Sequence, residues 1–146
     1  HVFNIYIRLF ANLTSLIYNI DDDVFGTINE ERINDFKALS ADYKKLLEDT
    51  KSSDVTITVK SSNNNDTKQF KAHKIILAAR SSFFEALFFG NFRESSQSEI
   101  DITDVDPILF ELILQWIYTA TITVIERHVN PLMELAGRFD LQDVSH

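Results

Sequence analysis

The sequence predicts an α/β fold of the α+β kind, a small sheet flanked by a cluster of helices, and three observations carry that expectation. Apolar and polar residues alternate over Asp54–Lys60 and again over Glu99–Val105, the two-residue period of a half-buried strand. Between and after these runs the apolar spacing changes to three and four, the period of helices that bury one face. Asp106-Pro107 and Asn130-Pro131 each set a capping side chain before a proline, the signal that opens a helix.

Taken in order, Ser40 reads as the N-cap of a helix that carries Tyr43, Leu46 and Leu47 on one side. In Asp54–Lys60, Val55, Ile57 and Val59 point one way and Thr56, Thr58 and Lys60 the other. The polar stretch Ser61–Asp66 reads as a long hairpin loop, with Gln69–Ala72 as the returning strand. From His73 to Gly90 the pattern is helical. Ser82 with Glu85 three residues later reads as a capping box, which splits the region into two helices near Ser81 and leaves Gly90 to end the second. Glu99–Val105 turns Ile100 and Ile102 inward. Asp106 and Pro107 then open ILFELILQWIYT, apolar almost all round and therefore central. Thr121–Val124 is expected as a short strand. A last helix starts at Asn130-Pro131 and bears Leu132, Leu135, Ala136 and Phe139.

The organisation expected is an N-terminal extension of unassigned structure over residues 1–38 and one domain over 39–146, cut short at its C-terminal end. A chain of 146 residues and 16.8 kDa holds one core without a staple. Its 14 Lys and Arg against 22 Asp and Glu give a net charge of −8, spread over both halves. Nucleic-acid affinity needs clustered bases, so this segment is expected to bind no DNA or RNA. With no cysteine, disulfide frameworks, thiol nucleophiles and thiolate metal sites are absent, and an intracellular compartment is expected. Residues 1–20 are apolar but broken by Asn4, Arg8, Asn12 and Asn19, so no membrane span is expected.

Candidate chemistry is sparse. His1, His73, His128 and His146 are too scattered for a metal site, and His73 reads as a hydrogen-bonded turn histidine. Ser81 and Ser82 lack the glycine-flanked elbow of a hydrolase, and three glycines leave no phosphate-cradling loop. Asp101, Asp104 and Asp106 read as a solvated strand edge ending in a helix cap rather than a calcium cluster. No enzyme, no metal and no cofactor are expected. The unusual feature is the run Phe83, Phe84, Phe88, Phe89 and Phe92. Most of these rings fit a wide core helix, and one, Phe92 just past Gly90, is expected to be left for a protein partner, since an aromatic buried at an interface contributes about 2 kcal/mol.

Two stretches, FKAHKIILAARSSFFEALFFGNFRES (Phe70–Ser95) and DITDVDPILFELILQWIYT (Asp101–Thr119), closely resemble the BTB/POZ domain, supported by LSADYKKLL before SSDVTITV and by LMELAGRFDL near the end. The resemblance covers about Leu39–Leu141. It implies a non-enzymatic domain that is usually homodimeric, with the interface by position at Leu39, Tyr43, Leu46 and Ile76. Asp54 and Lys74 match the acid-and-base pair in the charged pocket of BTB repressors. Lys stands here where those have Arg, so the pair is expected to act as a structural ion pair between strand and helix. The resemblance extends to substrate adaptors of cullin-3 ubiquitin ligases, which carry a hydrophobic residue, any residue, then Glu after the third helix. Phe92-Arg93-Glu94 stands at that place, so Phe92 and Glu94 are the expected cullin-docking residues and cullin-3 the expected partner, beside an unidentified substrate. The alternatives are a transcriptional regulator that recruits a co-repressor and a purely structural assembly domain.

Overall fold

The structure is a computed structural model that describes residues 25–91 and 96–141, with side chains from residue 30 onward. Among the described residues it contains five α-helices and three strands. The elements run α1 (Phe25–Glu48), a 3-10 turn (Thr50–Ser52), β1 (Val55–Lys60), β2 (Thr67–Ala72), α2 (Lys74–Arg80), α3 (Ser82–Phe89), β3 (Glu99–Thr103), α4 (Pro107–Thr119) and α5 (Glu126–Arg138). The mixed α and β architecture expected from the sequence is the one observed.

The sheet has the order β2-β1-β3, with β1 antiparallel to β2 and parallel to β3. Its apolar face follows from register. Ile57 sits opposite Phe70 on one side and Ile100 on the other, and Val59 opposite Ile102, so the inward residues of all three strands form one buried row. The hairpin loop closes with Ser61 N–H donating to the Asp66 carbonyl at 2.9 Å, and Asn65 takes the left-handed conformation that asparagine tolerates.

Rings form the spine of the helical layer. Phe88 stacks on Phe84 and Phe84 on Phe139, with centroids 5.7 and 5.3 Å apart; Phe110 meets Phe139 edge-on at 5.7 Å and Phe70 at 5.2 Å. This chain of contacts links α3, the end of α5, α4 and β2. Such pairs add roughly 0.5–1.5 kcal/mol each beyond the area they bury. Asp106 caps α4 through the Ile108 N–H at 2.8 Å with Pro107 in the first turn, and eight of the thirteen α4 residues are buried, as its apolar surface required.

Four local expectations are corrected. Ser40 is not an N-cap but lies inside the 24-residue α1, because residues 30–39 contain no proline or glycine to stop a helix; its hydroxyl donates instead to the Thr119 carbonyl at 2.8 Å. The break between α2 and α3 is at Ser81, whose Oγ accepts the Phe84 N–H, so Ser81 rather than Ser82 is the cap and Glu85 lies one residue too far on to close a box. Thr121–Val124 keeps strand-like alternation, with Ile122 and Val124 buried, yet pairs with no strand among the described residues. Finally, α5 begins at Glu126 and takes Pro131 in its interior, where proline removes one helical hydrogen bond. The apolar face reaches back to the half-buried Val129, and that packing holds the extra turn.

Candidate interaction surface

α1 is the least buried α-helix among the described side chains. Of residues 30–48 only Ser40 and Leu47 are even half-buried, and these two face the body. Along the adjacent side stand Ile33, Phe36, Leu39, Tyr43 and Leu46, all exposed, with Phe36 and Leu39 at 61% and 53%. Their spacing of three, three, four and three residues puts them on one stripe. Isolated helices have little intrinsic stability in water, so a helix carrying such a stripe calls for cover. Three of the four residues expected at the dimer interface, Leu39, Tyr43 and Leu46, therefore lie together on this face. The fourth, Ile76, is half-buried on α2 and packs against the core.

Asp54 and Lys74 do meet, but through the backbone. Asp54 Oδ1 accepts the Lys74 N–H at 2.8 Å, and the Lys74 ammonium lies over the Phe88 ring at 5.6 Å. Asp54 is exposed. The acid supplies the cap that His73, the N-cap residue of α2, does not make with its own side chain. The observed contact is thus an exposed carboxylate on a helix N-terminus, which helix polarity favours.

His73 is the polar centre of the junction, as the turn-histidine reading expected. Tyr118 Oη accepts the His73 backbone N–H at 2.9 Å and lies 2.8 Å from Nδ1, while Nε2 lies 2.7 Å from Ser52 Oγ. The two ring bonds are linked through the tautomer: if Nδ1 accepts from the phenol, Nε2–H donates to Ser52, and if Nδ1–H donates, Nε2 accepts from the Ser52 hydroxyl. Burial pushes the Tyr118 hydroxyl up to about 12; the His73 backbone bond works the other way and the nearby Asp54 charge adds to the rise. The phenol is thereby held neutral. This chain of bonds fastens the linker after α1 to both α2 and α4.

On α3 the rings divide. Phe84 and Phe88 are fully inside, Phe83 lies at the boundary against Phe139, and Phe89 is 61% exposed. Phe92 and Glu94, the expected docking residues, lie outside the described residues. The residues missed by sequence reasoning are Ile33, Phe36 and Phe89. The first two were hidden by reading Ser40 as a start. Phe89 was visible in principle, since it sits a quarter-turn from the Phe84–Phe88 face. Among the described residues no group of His, Asp or Glu converges to hold a metal ion, and no helix is long and apolar enough to cross a membrane.

A three-stranded sheet under a helical cluster that leaves large apolar side chains exposed on its helices is an arrangement suited to protein contacts. The model of the BTB/POZ domain matches residues 43–146, and the chain belongs to that family. It is similar to Kelch-like protein 40 of Xenopus tropicalis, 38% identical over 77 residues that make up 53% of this chain and 12% of that protein. Kelch-like protein 2 of Homo sapiens is 36% identical over 91 residues, 62% of this chain and 14% of that protein. The chain therefore spans only a small part of the length of these relatives. Among solved structures, the BTB domain of zebrafish PATZ1 superposes with a TM-score of 0.54 at 24% identity, covering 79% of this chain and 85% of that one, and shares the fold.

Proposed function

We propose that this chain is a homodimeric, intracellular BTB module that acts as a substrate adaptor of a cullin-3 ubiquitin ligase. The observation that carries the dimer is the exposed stripe Leu39, Tyr43 and Leu46 on a helix that has almost no cover from its own body. The cullin reading rests on Phe92-Arg93-Glu94, which follow α3 in the sequence, on the likeness to Kelch-like proteins, and on Phe89, an exposed ring at the last position of α3. In this reading an apolar anchor enters a groove on the scaffold and a carboxylate sets its register. No residue of this chain performs bond chemistry; transfer takes place on partner enzymes, and another part of the protein recruits the substrate.

Calorimetry of the chain against the N-terminal region of cullin-3 tests the proposal, beside a Phe92→Ala/Glu94→Lys variant whose fold is checked by circular dichroism. Binding at micromolar strength or tighter that the variant loses is the expected result. A well-folded dimer that does not bind would overturn the adaptor reading and leave co-repressor recruitment or plain assembly.

A further inference from the structure

The N-terminal half of α1 has no cover from the body. Residues 30–39 are all exposed, with Ile33 at 45% and Phe36 at 61%, and they precede the family-matched region, which begins at residue 43. A helix without packing is marginal in water, so this half calls for an occupant of its own. Residues 1–24 lie outside the described residues, and the last of them adjoins Phe25, the first residue of α1. Their sequence is patterned. The polar residues that interrupt the apolar run, Asn4, Arg8, Asn12, Ser15 and Asn19, recur at steps of four, four, three and four, and so do Ile5, Leu9, Leu13, Leu16 and Ile20 beside them. That is the period of a helix with one polar stripe and a wide apolar face. The pattern ends at Asp21-Asp22-Asp23, residues suited both to a turn and to the start of the helix that follows.

We propose that residues 5–20 fold back on α1 of the same chain as the first arm of a helical hairpin, and that Ile33 and Phe36 are the surface on which this arm docks. Four residues, 21–24, join the two arms, a length usual between antiparallel helices. Reversal there sets side by side residues whose numbers sum to about 45, so Leu13 falls opposite Ile33 and Leu9 opposite Phe36. From Ile5 to Ile20 the arm is about 22 Å long as a helix, enough to pass Phe36 and short of Tyr43 and Leu46. The inference therefore goes beyond the dimer reading and leaves Tyr43 and Leu46 to it. A lipid surface suits the segment poorly. Its polar stripe carries one Arg and no Lys, and three aspartates follow it, whereas a helix that lies on a membrane is rich in both bases.

Two measurements on the full chain test the hairpin. In a Leu9→Asp/Leu13→Asp variant, the amides of residues 30–39 are expected to exchange about tenfold faster than in the parent chain, while those of β1 and α4 keep their rates. Unchanged exchange at residues 30–39 would overturn the docking. The contact itself is read by cross-linking, because the chain has no cysteine of its own. Leu13→Cys/Ile33→Cys is expected to close an intrachain disulfide under mild oxidation, and Leu13→Cys/Leu46→Cys, whose sites the hairpin holds far apart, is not. Equal yields from the two pairs would mean that the segment ranges freely over α1, and a mainly interchain product would place it on a second copy; either result overturns the proposal. So would sedimentation of the parent chain with phosphatidylcholine–phosphatidylserine vesicles that the Leu9→Asp/Leu13→Asp variant loses, since that assigns the segment to a lipid surface. None of these readouts requires the chain to dimerise, so the hairpin and the dimer reading stand or fall separately.

Discussion

The body of the domain and α1 solve the same problem in opposite ways. In the body, the main apolar rows have an internal answer: β1 is paired on both edges, and the rings of Phe88, Phe84, Phe139, Phe110 and Phe70 pass contacts from helix to sheet. α1 carries a comparable apolar stripe and leaves it in water, attached through Leu47, the Ser40 hydrogen bond and the fastened linker. Burial inside one chain gives stability that does not depend on concentration. Burial that awaits a second molecule makes the folded population a function of it. The two regions are therefore expected to respond to substitution and dilution in different ways.

The largest effect is expected at the ring spine. Phe84→Ala removes a fully buried ring that touches Phe83, Phe88 and Phe139, and about 3–5 kcal/mol of stability is expected to go with it. Denaturant unfolding checks this, and a loss below about 1 kcal/mol would show that the spine tolerates a hole. Next comes the junction that joins the two regions. Tyr118→Phe leaves the buried His73 amide without its acceptor, at an expected cost of about 1–3 kcal/mol, with the linker beyond Ser52 exchanging its amides faster.

The same group gives a pH dependence. The folded value of Tyr118, about 12, lies above the ordinary 10.0, so the folded state favours the neutral phenol. Its contribution is fully present below about pH 10 and is lost as pH rises toward 12. Absorbance titration is expected to show one of the four tyrosines ionising last, together with unfolding; Tyr118→Phe removes that step.

A smaller effect of opposite sign is expected at the end of α4. Ala120 holds a left-handed conformation, φ 56, as the C-cap residue, where a side chain is strained and glycine is not. Ala120→Gly is expected to stabilise the body by about 1 kcal/mol, read as a higher melting temperature. The smallest effect is the most telling for the comparison. Leu39→Ser, at concentrations where the chain is monomeric, is expected to shift unfolding by no more than about 0.5 kcal/mol, because the side chain is already in water. A large loss in the monomer would mean that α1 is part of the internal core after all.

What was legible in the sequence follows the same division. The strands, the Asp106-Pro107 cap and the central character of α4 could be read because pattern and packing agree there and one signal has one outlet. Ser40 and Asn130-Pro131 misled because a cap signal is local while its use is not. Ser40 spends its hydroxyl on Thr119, half a chain away, and Pro131 is carried by a helix whose apolar face had already begun at Val129. Asp54 and Lys74 are neighbours, and the contact seen runs from the Lys74 backbone N–H to the Asp54 carboxylate, a detail that alignment to a motif does not specify. The exposed stripe on α1 was legible in part: the resemblance pointed to Leu39, Tyr43 and Leu46, and reading a helix start at Ser40 cut off Ile33 and Phe36, which share that stripe.

The parallel pairing of β1 with β3 also bears on the order in which the chain can fold. β1 meets β2 across the hairpin loop of residues 61–66, but its other edge waits for residues 99–103, which emerge only after both α2 and α3. During synthesis the central strand of the finished sheet is for a time an edge strand, open to any other extended chain. Pulse-labelled amide exchange during refolding is expected to find the β1–β2 hairpin protected first and β3 last, so that the strand closing the sheet also ends its exposure to misassembly.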